Sequence, residues 1–299
     1  MTDEATLKQR FKILSSPLDP EETGEEPVLN KLAGIKAVIF DFYGTLFISG
    51  VGDIGIDEGK SDAGLLIESM KGANIQPVHD KVGKRGYEIY DKVVTEQMQD
   101  LKSSGIPYPE PDIRKVWRNV LNQMYAEDLI GESTSSDQHD RMAVEFEVRM
   151  NPIWPMPGLE ETLSGLKEKN LELGIISNSQ FYTPIAFEAL AGKTLDQLGF
   201  NPHLLHWSYE ESRKKPGLVF YEHFLKKASK HLPDLEPENY LYVGNDMLKD
   251  VYPAHEVGLQ TALFAGDSRS LKWRPDDSRT KDLRPDLVIT ELNQILDCV

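Results

Sequence analysis

Four places in the chain set reactive side chains just after short apolar runs. Asp41 follows Ala37 to Phe40, and Ser177 with Asn178 follows Gly174 to Ile176. Lys215 stands before Pro216, past a run that ends near Trp207, while Asn245, Asp246 and Asp250 follow Leu241 to Gly244. A carboxylate at the end of a buried strand is expensive to place unless it has a partner or a task. In an open α/β sheet the carboxyl ends of the strands are where ligands bind. If the four runs are parallel strands, their ends share one edge and these residues converge, with Asp41 the first candidate for chemistry. Each alone has a plainer reading: Asp41 and Ser177 as turn or helix caps, Lys215 as a solvated lysine, Asp246 and Asp250 as the start of a helix. The ordered set carries more weight than any member.

The elements that must position this set are legible around it. Beyond 156 the pattern predicts strands at 171–177, 203–207, 240–243, 261–264 and 286–289, separated for the most part by helical segments. Such alternation argues for α/β architecture, a doubly wound parallel (Rossmann-like) sheet with helices on both faces, to which 37–40 also belongs. Between about 60 and 150 the texture is helical instead. Ile113, Val116, Trp117, Val120, Leu121 and Met124 recur every three or four residues, as do Tyr87, Tyr90, Val94, Met98 and Leu101. This predicts an all-helical domain at 52–155, inserted into a core made of 31–51 and 156–299. Asn151 to Gly158 reads as a stiff, proline-rich return. Residues 1–30 contain a short helix between Leu7 and Leu14 and are otherwise acidic and broken by prolines, so a mobile or loosely docked arm is expected. Gly50, Gly52 and Gly55 form a Gly-x-Gly-x-x-Gly string, but it neither follows a strand directly nor opens a helix. Residues 47–57 therefore read as a flexible flap or hairpin, not a dinucleotide loop.

Asp-x-x-Gly-Thr-Leu at 41–46, Ile-Ser-Asn-Ser at 176–179, Lys-Pro-x-x-x-Phe at 215–220 and Val-Gly-Asn-Asp-x-x-x-Asp at 243–250 resemble, in order, the four motifs of the haloacid dehalogenase superfamily. Residues 52–155 resemble its helical cap. The resemblance implies a hydrolase in which Asp41 is the nucleophile of a covalent aspartyl intermediate, dividing one hard displacement into two easier ones. It implies that Thr45 bonds within the first motif and helps position Asp41. Ser177 and the adjoining backbone at Asn178 would hold substrate oxygens, and Lys215 would neutralise the nucleophile and the transferring group. It also implies an Mg²⁺ ion on oxygen ligands: Asp41, the Tyr43 carbonyl and a motif-four aspartate, Asp246 before Asp250, with the Asn245 amide oxygen as a further donor.

Phosphatases of the family usually carry a second aspartate two residues after the nucleophile, as general acid and base. Here that position is Tyr43, whose reference pKa of about 10 makes it a poor base near neutrality. The Asp-x-Tyr-Gly-Thr form resembles the 2-haloacid dehalogenases, which expel halide without a proton and use no metal. Those enzymes present an arginine early in the cap; here the region reads Ser69 to Ala73 and the nearest downstream arginine is Arg85. Three readings follow. The first is an Mg²⁺-dependent phosphatase of a small phosphorylated metabolite, in which water or a weakly basic leaving group covers for the missing acid. The second is a metal-independent dehalogenase-like hydrolase. The third is a weakly active or non-catalytic binding protein on the same fold. The first is favoured because Asp246 and Asp250 suit a cation and the cap is longer than a dehalogenase needs.

Composition bounds the partners. The 299 residues hold 33 Lys and Arg against 49 Asp and Glu, a formal net charge of −16. That argues against a nucleic-acid or anionic-membrane surface, both of which need a basic face. An anionic small-molecule substrate must then be held by a local positive site. The single cysteine, Cys298, allows no internal disulfide, in keeping with a reducing cytosol. With no signal-peptide pattern at the start and no apolar run of membrane-spanning length, a cytoplasmic protein is expected. Oligomeric state is not legible.

Overall fold

A computed structural model describes residues 3–52, 63–79 and 81–299. In chain order the elements begin with α1 (Glu4–Leu14), β1 (Ala37–Phe40), β2 (Phe47–Ser49), α2 (Ala63–Gly72), α3 (Val82–Ser103), α4 (Ile113–Ala126), α5 (Ser136–Met150) and β3 (Ile153–Pro155). They continue with α6 (Leu159–Glu168), β4 (Glu172–Ser177), α7 (Thr183–Ala191), β5 (Phe200–Trp207), α8 (Ser208–Glu211) and α9 (Leu218–Ala228). Last come β6 (Tyr240–Gly244), a π-type turn over Met247–Val251, α10 (Tyr252–Glu256), β7 (Gln260–Phe264), β8 (Leu287–Ile289) and a closing 3₁₀ turn, Leu292–Asp297.

Six strands form one sheet in the order β5-β4-β1-β6-β7-β8, and every neighbouring pair is parallel. All four residues of β1 are buried, because both faces of the strand are covered. Ala37 and Ile39 join the apolar layer that holds Phe220, Tyr221 and Phe224 of α9. Val38 and Phe40 alternate into the larger layer with Leu163 of α6 and Phe187 of α7. This is the expected doubly wound α/β architecture. From β1 the chain winds outward through β4 and β5, then restarts at β6 on the other side of β1. The reversal opens a crevice at the carboxyl ends of β1 and β6, the usual ligand position in such sheets.

Within its described part the insertion is a bundle of four helices, α2 to α5. Asp112 caps α4 by accepting from Arg114 N, and Ser135 with Gln138 forms a reciprocal capping box on α5. The stripe on α4 is buried as its spacing predicts, from Ile113 to Met124. Its Trp117 packs at 5.0 Å from both Tyr90 of α3 and Phe146 of α5, ring centre to ring centre. The two connections to this bundle are tied together: β2 and β3 pair antiparallel, Phe47 with Pro155 and Ser49 with Ile153. The return expected to be merely stiff is thus half of a two-stranded ribbon. The first part of the expected flap is the other half, and residues 53–57 with Gly55 lie outside the described residues. Among the described residues no helix is long and apolar enough to cross a membrane.

The expected loose arm is corrected by the structure. Leu7 and Phe11 of α1 are buried, 2% and 0% exposed, with Phe11 against Tyr182 beside α7. Arg10 pairs with Glu145 of α5, a fully buried carboxylate also held by Arg149, and Lys8 pairs with Glu188 of α7. The acidic stretch is fastened as well. Thr23 Oγ1 donates to the Ala265 carbonyl, Trp273 Nε1 donates to Glu25, and Val28 bridges antiparallel to Val288 of β8. Composition suggested a solvated tail because it hides the few residues that dock. We expect Phe11→Ala to lower unfolding free energy by about 3–4 kcal/mol. Ile13→Ala, at a position 57% exposed, should change it by less than about 0.5 kcal/mol. Urea unfolding of both variants checks this; equal, small effects would show the helix to be undocked.

Candidate active site

The strand ends predicted to converge do so around one ammonium group. Lys215 is 2% exposed. Its Nζ lies 2.6 Å from Asp250 Oδ1, 2.8 Å from Asp41 Oδ1 and 3.2 Å from the Tyr242 hydroxyl. The contact with Asp41 is an ion pair without hydrogen-bond alignment, so Asp41 Oδ1 is buried yet formally without a donor. Burial alone would pull the lysine pKa down. The Asp250 and Asp41 carboxylates outweigh it and push it above its ordinary value, so the ammonium stays charged. Burial pushes Asp250 the other way, up to about 7, against the pull of Lys215.

Each member is fixed by local structure. Asp41 N donates to the Val243 carbonyl, continuing the β1–β6 ladder one residue past the strand. Asn178 Oδ1 accepts from Lys215 N at 2.8 Å, and its amide donates back to the Lys215 carbonyl at 3.4 Å. Asn178 therefore places the lysine backbone. The π-type turn after β6 brings Asp250 back over Gly244, so close that a Cβ there would sit 2.4 Å from Asp250 Cγ. Such turns often mark functional sites. Asp250 Oδ2 accepts from Asp246 N at 2.9 Å.

Several sequence expectations change here. Thr45 reaches out of the first motif, donating to Asn245 Oδ1 at 3.2 Å. Ser177 is 0% exposed, and its hydroxyl has only a 3.5 Å contact with the Asn178 carbonyl. Asp246 is not a free cation ligand. Its Oδ1 caps the turn by accepting from Leu248 N and Lys249 N, and Arg274 grips both oxygens, with Nη2 at 2.7 Å from Oδ2. Asp250 is the counter-ion of Lys215. Among the described residues no group of three or more His, Cys, Asp or Glu is gathered as a metal ligand set. The oxygens still suited to a cation lie one step away. Gly44, with φ of +79°, turns so tightly that a Cβ would fall 3.0 Å from Asn245 Cγ and 2.9 Å from Ser270 Oγ, a buried hydroxyl without a partner. The Asn245 amide is thus beside the Tyr43–Gly44 peptide, and its oxygen has a second lone pair beyond the bond from Thr45. One carboxylate (Asp41), the Tyr43 carbonyl and this amide oxygen suit Mg²⁺, which keeps waters and substrate phosphate as its other ligands.

Tyr43 turns away from the acid–base position. Its hydroxyl is 3.0 Å from Thr183 Oγ1, and burial followed by the charge of Glu147 pushes its pKa well above the usual phenol value. It helps wall a cavity of about 260 Å³ between core and cap, together with Trp117, Glu147, Asn178, Tyr182 and Lys215. The cap closes over this space through Gln180, which follows the second motif. Gln180 Oε1 accepts from Ile113 N at the start of α4, while its amide donates to Glu110 and the Pro111 carbonyl. Alongside, Glu110 N donates to the Ser212 carbonyl and Lys214 N to the Tyr108 carbonyl. Sequence reasoning missed Tyr242, Arg274 and Gln180. Tyr242 had the signal of a polar ring inside a buried strand, whereas Arg274 sits in a loop far along the chain and had none.

A doubly wound sheet that sets a paired carboxylate and lysine at its switch point, under a helical cap, is the architecture of a capped Rossmann-like hydrolase. The family described as haloacid dehalogenase-like hydrolase matches residues 35–258, and the chain belongs to it. It is 32% identical over 143 residues to a glyceraldehyde 3-phosphate phosphatase of Pyrococcus furiosus, covering 48% of this chain and 53% of that protein. It is 30% identical over 154 residues to the protein of the same name from Methanocaldococcus jannaschii, covering 51% and 59%. The matches thus span little more than half the length of these curated relatives. A crystal structure of a 2-haloacid dehalogenase from Pseudomonas syringae superposes with a TM-score of 0.53 over 87% of this chain and 96% of that one. At 18% identity it shows the shared fold.

The Asp246–Arg274 pair generates a prediction. Asp246 is 1% exposed and Arg274 keeps 36% of its side-chain surface. Asp246→Asn and Arg274→Met should each cost about 2–3 kcal/mol, below the range for a fully buried pair because the arginine is partly solvated. The double variant should cost clearly less than the sum. Additive losses in thermal or urea unfolding would show that the two residues are not a pair.

Proposed function

We propose that this chain is a phosphatase of a small phosphorylated metabolite, with Asp41 as nucleophile. The observation that carries the reading is the buried Lys215 ammonium 2.8 Å from Asp41 Oδ1 at the switch point of the sheet. The partial similarity to named sugar-phosphate phosphatases favours phosphoryl transfer over other displacements. Asp41 attacks phosphorus and the bond to the alcohol oxygen breaks, leaving an aspartyl phosphate. Water then attacks phosphorus and releases phosphate with the carboxylate restored. Lys215 holds Asp41 in place and faces the negative charge that accumulates on the transferring oxygens. A phosphate dianion brought against Asp41 and Asp250 meets one ammonium, an excess of negative charge that a divalent cation offsets. Asp41, the Tyr43 carbonyl and Asn245 would hold Mg²⁺, which supplies charge neutralisation and orientation of the phosphate when bound. With the Tyr43 phenol held neutral by burial, the leaving oxygen takes its proton from water.

The dehalogenase-like reading is weaker on this chain's own residues. Arg85 is an exposed side chain tied to Glu127 and Glu88 on the outside of the cap, so it does not supply an arginine to the cavity. The non-catalytic reading has no feature of its own in favour.

Phosphate release from a panel of small esters, run with Mg²⁺ and with EDTA, tests the proposal. Turnover should need Mg²⁺, and Asp41→Asn should lower it by at least ~10³-fold. Asn245→Ala should raise the Mg²⁺ concentration for half-maximal rate about tenfold. Halide release from 2-haloacids in EDTA, with no ester cleaved, would replace this reading with the dehalogenase one.

A further inference from the structure

The cavity beneath the cap is electrically divided. Among the described residues its lysines, Lys214, Lys215 and Lys249, all come from the core, and its acids, Asp91, Glu110 and Glu147, all come from the insertion. Lys214 and Glu110 face each other at 3.8 Å across the seam and balance locally, and Lys215 is matched by Asp41 and Asp250. Glu147 is different. The groups that bond it are neutral: Tyr182 OH donates at 2.8 Å and Asn151 Nδ2 at 3.4 Å. Among the described residues no lysine, arginine or histidine pairs with it. A half-buried carboxylate with no cation beside it either takes up a proton or waits for a positive partner. Burial does push its pKa up, and the bonds from Tyr182 and Asn151 only partly oppose this.

The walls beside Glu147 are aromatic. Tyr87, Tyr90, Trp117 and Phe146 line the same space, with ring centres 5.0 to 6.3 Å apart. Aromatic faces next to a carboxylate form a favourable setting for an organic ammonium.

We propose that the substrate is a zwitterion: a phosphate monoester whose alcohol carries an ammonium group, with the phosphate at Lys215 and the ammonium at Glu147 between the aromatic side chains of the cap. This rests on the phosphatase reading and adds the chemistry of the leaving group. The phosphate end uses the core, whose four motifs define the family. The ammonium end uses only insertion residues. Glu147 is here a specificity residue and takes no part in bond cleavage.

The test compares two esters of matched size, 2-aminoethyl phosphate and 2-hydroxyethyl phosphate, by kcat/KM under identical conditions. The amine should be preferred on the order of tenfold to a hundredfold, the worth of one charge-assisted contact. Glu147→Gln keeps the shape and one accepting oxygen for Asn151, with the amide nitrogen able to donate to the Tyr182 hydroxyl instead of accepting from it, and should collapse the ratio toward one. Glu147→Asp, which keeps the charge, should retain a preference for the amine. A wild-type ratio at or below one overturns the proposal in favour of a neutral hydroxylated leaving group bound by a protonated Glu147. A preference that survives Glu147→Gln overturns the assignment to this residue. If neither of these esters is hydrolysed while others of the ester panel are, the ammonium proposal fails and the phosphatase reading stands; if no ester of the panel is hydrolysed, the phosphatase reading fails, and calorimetry with ethanolamine alone decides the pocket. Binding that is lost in Glu147→Gln supports an ammonium site, and absence of binding to the wild type rejects it.

Discussion

The site depends on one buried cation. An ammonium removed from water is tolerated only when carboxylates stand close enough to replace its hydration, and Lys215 has Asp41 and Asp250 within 2.8 Å. This requirement links three strand ends. Asp41 comes from β1, the lysine is placed by Asn178 after β4, and Asp250 is folded back over Gly244 by the turn after β6. Tyr242 joins them from inside the sheet, accepting from Lys215 while its own hydroxyl lies within bonding distance of the Ile176 carbonyl and Asp250. Removing any one of these groups would leave a buried charge or dipole unmatched. The geometry at Asp41 is therefore a property of the sheet edge as a whole.

A third acid, Asp246, shows how a site can use a carboxylate without exposing it. Its two oxygens cap the π-type turn and hold Arg274, so it fixes the loop that carries Asp250. The result is a division of labour among similar side chains. Asp41 has a buried oxygen lacking an aligned donor, Asp250 is a counter-ion, and Asp246 is a structural cap. Chemical type alone does not separate these roles; the partner of each oxygen does.

The cap and the core share one apolar cluster and also meet through matched polar contacts. Gln180 holds the start of α4, the 108–110 strip runs beside 212–214, and α1 touches both α5 and α7. A partly open cavity of about 260 Å³ lies between them, with Lys214, Lys215 and Lys249 on the core side and Asp91, Glu110 and Glu147 on the cap side. Core and insertion thus contribute different walls of the cavity.

The parallel sheet, the helical insertion and the convergence of Asp41, Asn178, Lys215 and Asp250 were legible from the amino-acid sequence. Apolar period and strand-end chemistry are local signals, and the order of strands along the chain forces their ends to one side. Phe11 was legible as part of a short helix, but its docking was not, because a two-residue apolar stripe in an acidic segment says nothing about where it will pack. Which aspartate faces a cation and which faces an arginine was decided only by the tertiary structure. Arg274 lies 28 residues beyond Asp246 and carries no local mark of that partnership. The same holds for Glu147, one acid among many on an amphipathic helix until α3, α4 and α5 enclose it with aromatic rings. Long-range pairing of charges depends on distances that appear only when the chain closes on itself, and those distances set the partner of each carboxylate.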